Sequence, residues 1–206
     1  MRRAVIVLLL IAVVSGLVFN AFTLLIPKLL QERLATAPAL LPMVGLAAFL
    51  VTLCGAMTQF TVGRLIDRHT LRQVFVPMAM VLAPALLALS FLQGWMMLPV
   101  AAVAAAVIFG QVTINETMTA RYIAPALRAQ MYSIRFFVGF LGSAVAAPLV
   151  ATLHERTGAT SATLMVLAAA ATIMLGCALG FPNRREELRP ELWDEAALHA
   201  VPVAAE

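Results

Sequence analysis

Gly63-Arg64-Leu65-Ile66-Asp67-Arg68-His69-Thr70-Leu71-Arg72 is a charged run set between two long apolar stretches. Residues 34–63 carry no charge, and after Arg72 none recurs before Glu116. Where charge is this scarce, a turn holding Arg64, Asp67, Arg68 and Arg72 belongs at a membrane surface, with its flanks in hydrocarbon. Composition agrees. Of 206 residues, 63% are hydrophobic and 12% charged, and the mean hydropathy is +0.97, whereas soluble domains are about half apolar.

Working outward from that turn gives an all-α membrane protein with six spans. They fall at about 4–30, 39–62, 74–92, 96–119, 132–153 and 161–181, with ends uncertain by a few residues. The uncharged stretch 73–115 is too long for one span. It divides at Gln93-Gly94-Trp95, where glycine breaks the helix and tryptophan prefers the interface. Helices are required because hydrocarbon offers the backbone no partner, and a β-barrel would need alternating rather than continuously apolar segments. Residues 1–182 thus form a bundle and 183–206 a cytoplasmic tail, basic at first and then acidic. Met1-Arg2-Arg3 followed by apolar residues imitates a signal peptide. The uncharged stretch runs on to Pro27 without a small-residue cleavage site, however, so an uncleaved first helix is expected.

Lys and Arg set the orientation. One side receives Arg2, Arg3, Arg64, Arg68, Arg72, Arg121, Arg128, Arg135, Arg184, Arg185 and Arg189; the other receives only Lys28, Arg33 and Arg156. Both termini are therefore expected in the cytoplasm, as an even number of spans requires.

Several function classes drop out. The isoelectric point near 9.8 reflects arginines at segment ends, not a basic helix face, so nucleic acid is not an expected partner. Cys54 and Cys177 lie in apolar segments and read as buried small hydrophobes rather than a disulfide. His69, His154 and His199 fall on different segments, which disfavours a shared metal site. No His-Glu-x-x-His helix, glycine-flanked serine nucleophile or nucleotide-binding loop is present. No enzyme, cofactor, metal or direct ATP drive is expected.

Polar side chains within spans face the bundle interior or a cavity more often than lipid. Gln111 and Asn115 are four apart and share a helix face; Asn20 and Thr23 in the first span are three apart. They either line a solute path or hydrogen-bond between helices as glue, worth about 1 kcal/mol each. Glu116 has three readings. It pairs with Arg135, Arg68 or Arg72, it couples protons, or it is simply exposed.

The opening decapeptide resembles the signature loop of the major facilitator superfamily, G-x-L-a-D-R-x-G-R-R/K. Gly63, Leu65, Asp67, Arg68 and Arg72 match; Thr70 replaces the second glycine and Leu71 the arginine after it. This degenerate form is similar to the copy between helices eight and nine. Ile26-Pro27, the run from Gly110 to Glu116, Arg128 to Arg135 and Gly142 to Pro148 agree. The resemblance covers about residues 3–182, as far as span ends can be placed. It implies the carboxy-terminal half of a twelve-helix carrier, in which two six-helix halves rock about a central site. The expected function is secondary transport of a small solute by alternating access, commonly proton-driven, in a bacterial inner membrane. Asp67 is implied to hold a cytoplasmic gate closed with Arg121 as partner, while Arg68 and Arg72 lie on the headgroup side. First and fourth helices line the cavity in this family, which favours Asn20, Thr23, Gln111 and Asn115 as lining residues. One half cannot enclose a two-sided cavity. An amino-terminal half is therefore expected as partner, from the same longer gene, a separate chain or self-association; the rival is an orphaned half that only packs.

Overall fold

A computed structural model describes residues 2–34, 42–123 and 125–180, so the expected tail at 183–206 lies outside the described residues. The elements are α1 (Arg2–Leu34), α2 (Val44–Arg68), α3 (Leu71–Phe91), α4 (Met97–Tyr122), α5 (Pro125–Thr157) and α6 (Thr160–Leu179). There is no strand among the described residues. Among the described residues, six helices are long and apolar enough to cross a membrane.

The charged decapeptide corrects one expectation. It is not a loop: α2 continues through Gly63, Asp67 and Arg68, and only His69 and Thr70 separate it from α3. A helix need not end where hydrocarbon ends, since its backbone remains self-satisfied while charged side chains reach water. Thr70 makes the turn sharp without the glycine expected there. Its hydroxyl accepts from the Gln73 backbone N–H at 3.4 Å, and the Gln73 side chain accepts from the Thr70 N–H at 3.1 Å. This capping box satisfies two donors at the start of α3. Thr70 has φ −65°, a value open to any residue, so no glycine is needed. At the next connection one is used: Gly94 takes φ +62° between α3 and α4, a conformation costly for a residue with a Cβ.

Packing proceeds in pairs, α1 on α5, α2 on α4 and α3 on α6, with α4 also against α3 and α1. The α1–α5 contact is backbone to backbone. A Cβ on Gly142 would land on the Val13 carbonyl, and one on Gly16 on the Gly139 carbonyl. Small residues give that close approach, which in lipid replaces the hydrophobic drive for association. The core includes Ile11, Val18, Phe22 and Leu25 of α1 and large apolar side chains of α3 such as Phe75, Leu82 and Leu86.

Arginine closes three helix ends. Arg121 donates to the Ile66 carbonyl near the end of α2 (3.2 Å), Arg33 to Ser90 near the end of α3 (3.0 Å), and Arg128 to Ile123 after α4 (3.0 Å). A helix leaves its last carbonyls without internal partners, and cations there also meet the negative end of the dipole. Opposite the Gly63 end, Glu32 accepts from the Thr160 hydroxyl at 2.8 Å and lies 3.9 Å from His154 Nδ1, tying α1 to α6 and α5.

Two helices are left bare. In their most apolar stretches α2 and α5 are only 11% buried, against 39–50% for the other four. On α2 the exposed residues Leu46, Leu50, Leu53, Met57 and Phe60 recur at helical spacing, and Arg64 and Asp67 continue the same stripe. Cys54, expected to be buried, is exposed on this helix.

Candidate functional site

Midway along the bundle, α1, α4 and α5 line an open pocket of about 280 Å³ whose lining includes Ser15, Phe19, Asn20, Asn115, Arg135 and Ser143. Its walls are chiefly apolar and its polar groups few, the usual constitution of a small-molecule site. Two hydrogen bonds stitch the helices around it. Asn20 Nδ2 donates to Ser143 Oγ at 2.7 Å, joining α1 to α5, and Asn115 Nδ2 donates to Ser15 Oγ at 3.0 Å, joining α4 to α1. The Asn115 Oδ1 atom is enclosed and has no hydrogen-bond partner among the described residues.

Of the four expected lining residues, the structure brings two together. Asn20 and Asn115 line the pocket and also bridge helices. Thr23 lies against a separate pocket of about 150 Å³ between α1, α2 and α4, and its hydroxyl donates to Phe19 O within its own helix at 2.8 Å. Gln111 is 1% exposed and absent from the lining of either pocket, since its face of α4 is packed inside the bundle. Phe19 and Phe109, each on the wall of one pocket, pair across α1 and α4 with ring centroids 5.0 Å apart. This aromatic contact separates the two spaces.

The expected ion pairs need correction. Arg121 reaches α2, but its Nη2 meets the Ile66 carbonyl rather than the Asp67 carboxylate, which points outward and makes no ion pair among the described residues. Asp67 and Ile66 sit about 100° apart around the helix, so an arginine seated on the inward side cannot also meet the outward one. Glu116 is exposed and forms no ion pair with Arg135, Arg68 or Arg72. Its backbone carbonyl instead accepts from Tyr132 Oη at 3.1 Å. Gly63 has open space where a Cβ would stand, Leu65 is 42% exposed, and Arg68 is exposed. Leu65, Asp67 and Arg68 are thus exposed at the end of α2, while Gly63 is partly buried there and Arg72 is half-buried at the start of α3.

Residues missed by sequence reasoning are Ser15, Phe136 and Phe140, with Arg135 and Ser143 noticed but not assigned to a pocket. The available signal was helical spacing: 136, 139, 140 and 143 share one face of α5, as 12, 15, 16 and 19 share one of α1. Gln59, an amide in mid-span, was also overlooked; it donates to Phe109 O at 3.4 Å, linking α2 to α4.

Six apolar helices, three of which line a pocket with sparse polar groups, define an integral, multi-pass membrane protein with a transporter-type fold. The family model of the Major Facilitator Superfamily matches residues 8–204. The chain belongs to that superfamily, a family of membrane transporters. No match among curated proteins accompanies it.

Proposed function

We propose that this chain is one half, the carboxy-terminal one, of a secondary active transporter that moves a small solute by alternating access. The carrying observation is the pocket between α1, α4 and α5. It sits at mid-depth, where carriers of this kind bind their solutes, and α5, which supplies one wall, is otherwise bare. A second six-helix half covers the exposed stripes of α2 and α5 and completes the pocket. That half belongs to the same longer chain, to a separate chain or to a second copy. The exposure of Leu65, Asp67 and Arg68 supports this reading, since a motif serving only its own bundle would be packed within it. The Gly63–Arg72 segment then lies at the cytoplasmic surface of the plasma membrane, with both termini on that side. Asp67 holds the cytoplasmic face closed against the second half, and a proton gradient drives the cycle. A half that merely packs is the poorer reading, because it leaves the pocket and the exposed motif residues without a purpose.

The test is uptake by proteoliposomes carrying the chain together with its complementing half, under an imposed pH gradient, with entrapped dye reporting proton movement. Solute-dependent proton flux that disappears in Ser143→Phe, which fills the pocket, is the expected result. Solute movement unaffected by that substitution would remove the pocket from the mechanism.

A further inference from the structure

Arg135 is a half-buried cation in the first third of α5 that lines this pocket. It lies about 15 Å along α5 from the helix start, by helix rise. A half-buried cation beside apolar side chains is ordinarily matched by a carboxylate or serves a ligand. No carboxylate lies within 4.0 Å of it among the described residues. Glu116 acts on it only through longer-range attraction. Its Nη1 atom is enclosed and has no hydrogen-bond partner among the described residues. Phe136 lies under one face of the guanidinium, 5.8 Å from ring centroid to Cζ. That contact stabilises the cation without using any N–H, so the donor edge stays available.

We propose that Arg135 binds an anion, and that the solute accepted by this pocket is an organic acid with an apolar body. The inference rests on the transport reading only in taking this pocket as the solute site. The guanidinium fork matches the two oxygens of a carboxylate, and equally a sulfonate or phosphate. Around it, Phe19, Ile108, Val112, Phe136 and Phe140 form a wall suited to an aromatic or branched carbon skeleton. A cationic solute has no carboxylate in the lining to meet and is repelled by Arg135. A neutral one leaves the guanidinium unmatched, which is the more costly state in a low-dielectric site.

The test uses the full 206-residue chain in phosphatidylcholine nanodiscs, with thermal unfolding as readout and three isosteric probes: benzoate, benzamide and benzylamine, with benzenesulfonate and phenyl phosphate alongside. The anions are expected to raise the midpoint of unfolding by several degrees; benzamide and benzylamine are expected to leave it unchanged. Arg135→Gln, verified as monodisperse, loses the response, and Arg135→Lys, which keeps the charge but not the fork, retains part of it. The proposal is overturned if benzamide matches benzoate, if Arg135→Gln responds like the wild type, or if no anion stabilises the wild-type chain. It is also overturned if phosphatidylglycerol alone stabilises the chain through Arg135, which would make this a lipid contact. Absence of uptake in proteoliposomes with Arg135-dependent benzoate binding intact would count against transport and not against this site.

Discussion

Arg121 Nη2 meets the Ile66 carbonyl at 3.2 Å and leaves the neighbouring Asp67 carboxylate facing outward. The two residues that family resemblance pairs are thus separated by role. One holds the end of α2 to α4; the other is presented to whatever lies beyond the bundle. The same economy recurs at Arg33 and Arg128, where side chains that look like headgroup anchors also serve helix carbonyls. A basic residue at a span end can orient the chain and cap a neighbouring helix at once.

That separation makes a divided prediction. Arg121→Gln removes a charge-assisted bond to a helix end and should lower stability by about 1.5–3 kcal/mol, seen as a reduced midpoint in detergent unfolding. Asp67→Asn touches nothing within the bundle and should change stability by no more than about 0.5 kcal/mol. It should nonetheless reduce uptake and make the Gly63 end more accessible to thiol reagents at introduced cysteines. Equal destabilisation by the two substitutions would mean that Asp67 acts inside this half after all.

The contact of α1 with α5 sets the shape of the pocket, and it depends on an absent side chain. Gly142→Val places branched carbon on the Val13 backbone, which has no rotamer by which to yield. Overpacking of this kind costs about 1–3 kcal/mol, and it should also widen the gap between α1 and α5. Loss of crosslinking between cysteines introduced at 12 and 140 would report the separation. Unchanged crosslinking and stability would show that the helices are not in backbone contact.

The six spans were legible because charge is so sparse that each cluster marks a membrane boundary. The break at Gly94 was legible because glycine and tryptophan coincide there. The continuation of α2 to Arg68 was not, since charge marks where water begins and says nothing about where backbone hydrogen bonding stops. Thr70-Leu71-Arg72-Gln73 did carry a readable capping-box pattern, masked by alignment to a motif that has glycine at that place. For the site, residue type identified Asn20 and Asn115. Thr23 and Gln111 show the limit of that reasoning: a polar side chain in a span must be satisfied, but its own helix or the packed interior can do so as well as a cavity. Arg135 joined the pocket through the rotation of α5, which only packing against α1 determines.

Asn20 and Ser143 allow a direct measure of how much of this polar lining is glue. Each single alanine substitution should cost about 1 kcal/mol or less, and a double-mutant cycle should give a coupling of about 0.6 kcal/mol, the average for such bonds in membranes. The double variant should remain folded yet bind solute poorly, since the hydroxyl and amide both line the pocket. Coupling near zero would assign Asn20 to the solute rather than to Ser143.

Glu116 follows the pocket-lining Asn115 in sequence, is exposed, and acts on Arg135 through its field rather than through contact. A negative Glu116 competes with an anionic solute for the attraction of the guanidinium. Glu116→Gln removes that charge, so it should bind benzoate severalfold more tightly at neutral pH. In transport, the same substitution should abolish the pH dependence of uptake while leaving solute exchange intact. Both readouts follow from a single charge. If pH dependence survives in Glu116→Gln, the proton is carried elsewhere and this carboxylate is only a solvated neighbour of the site.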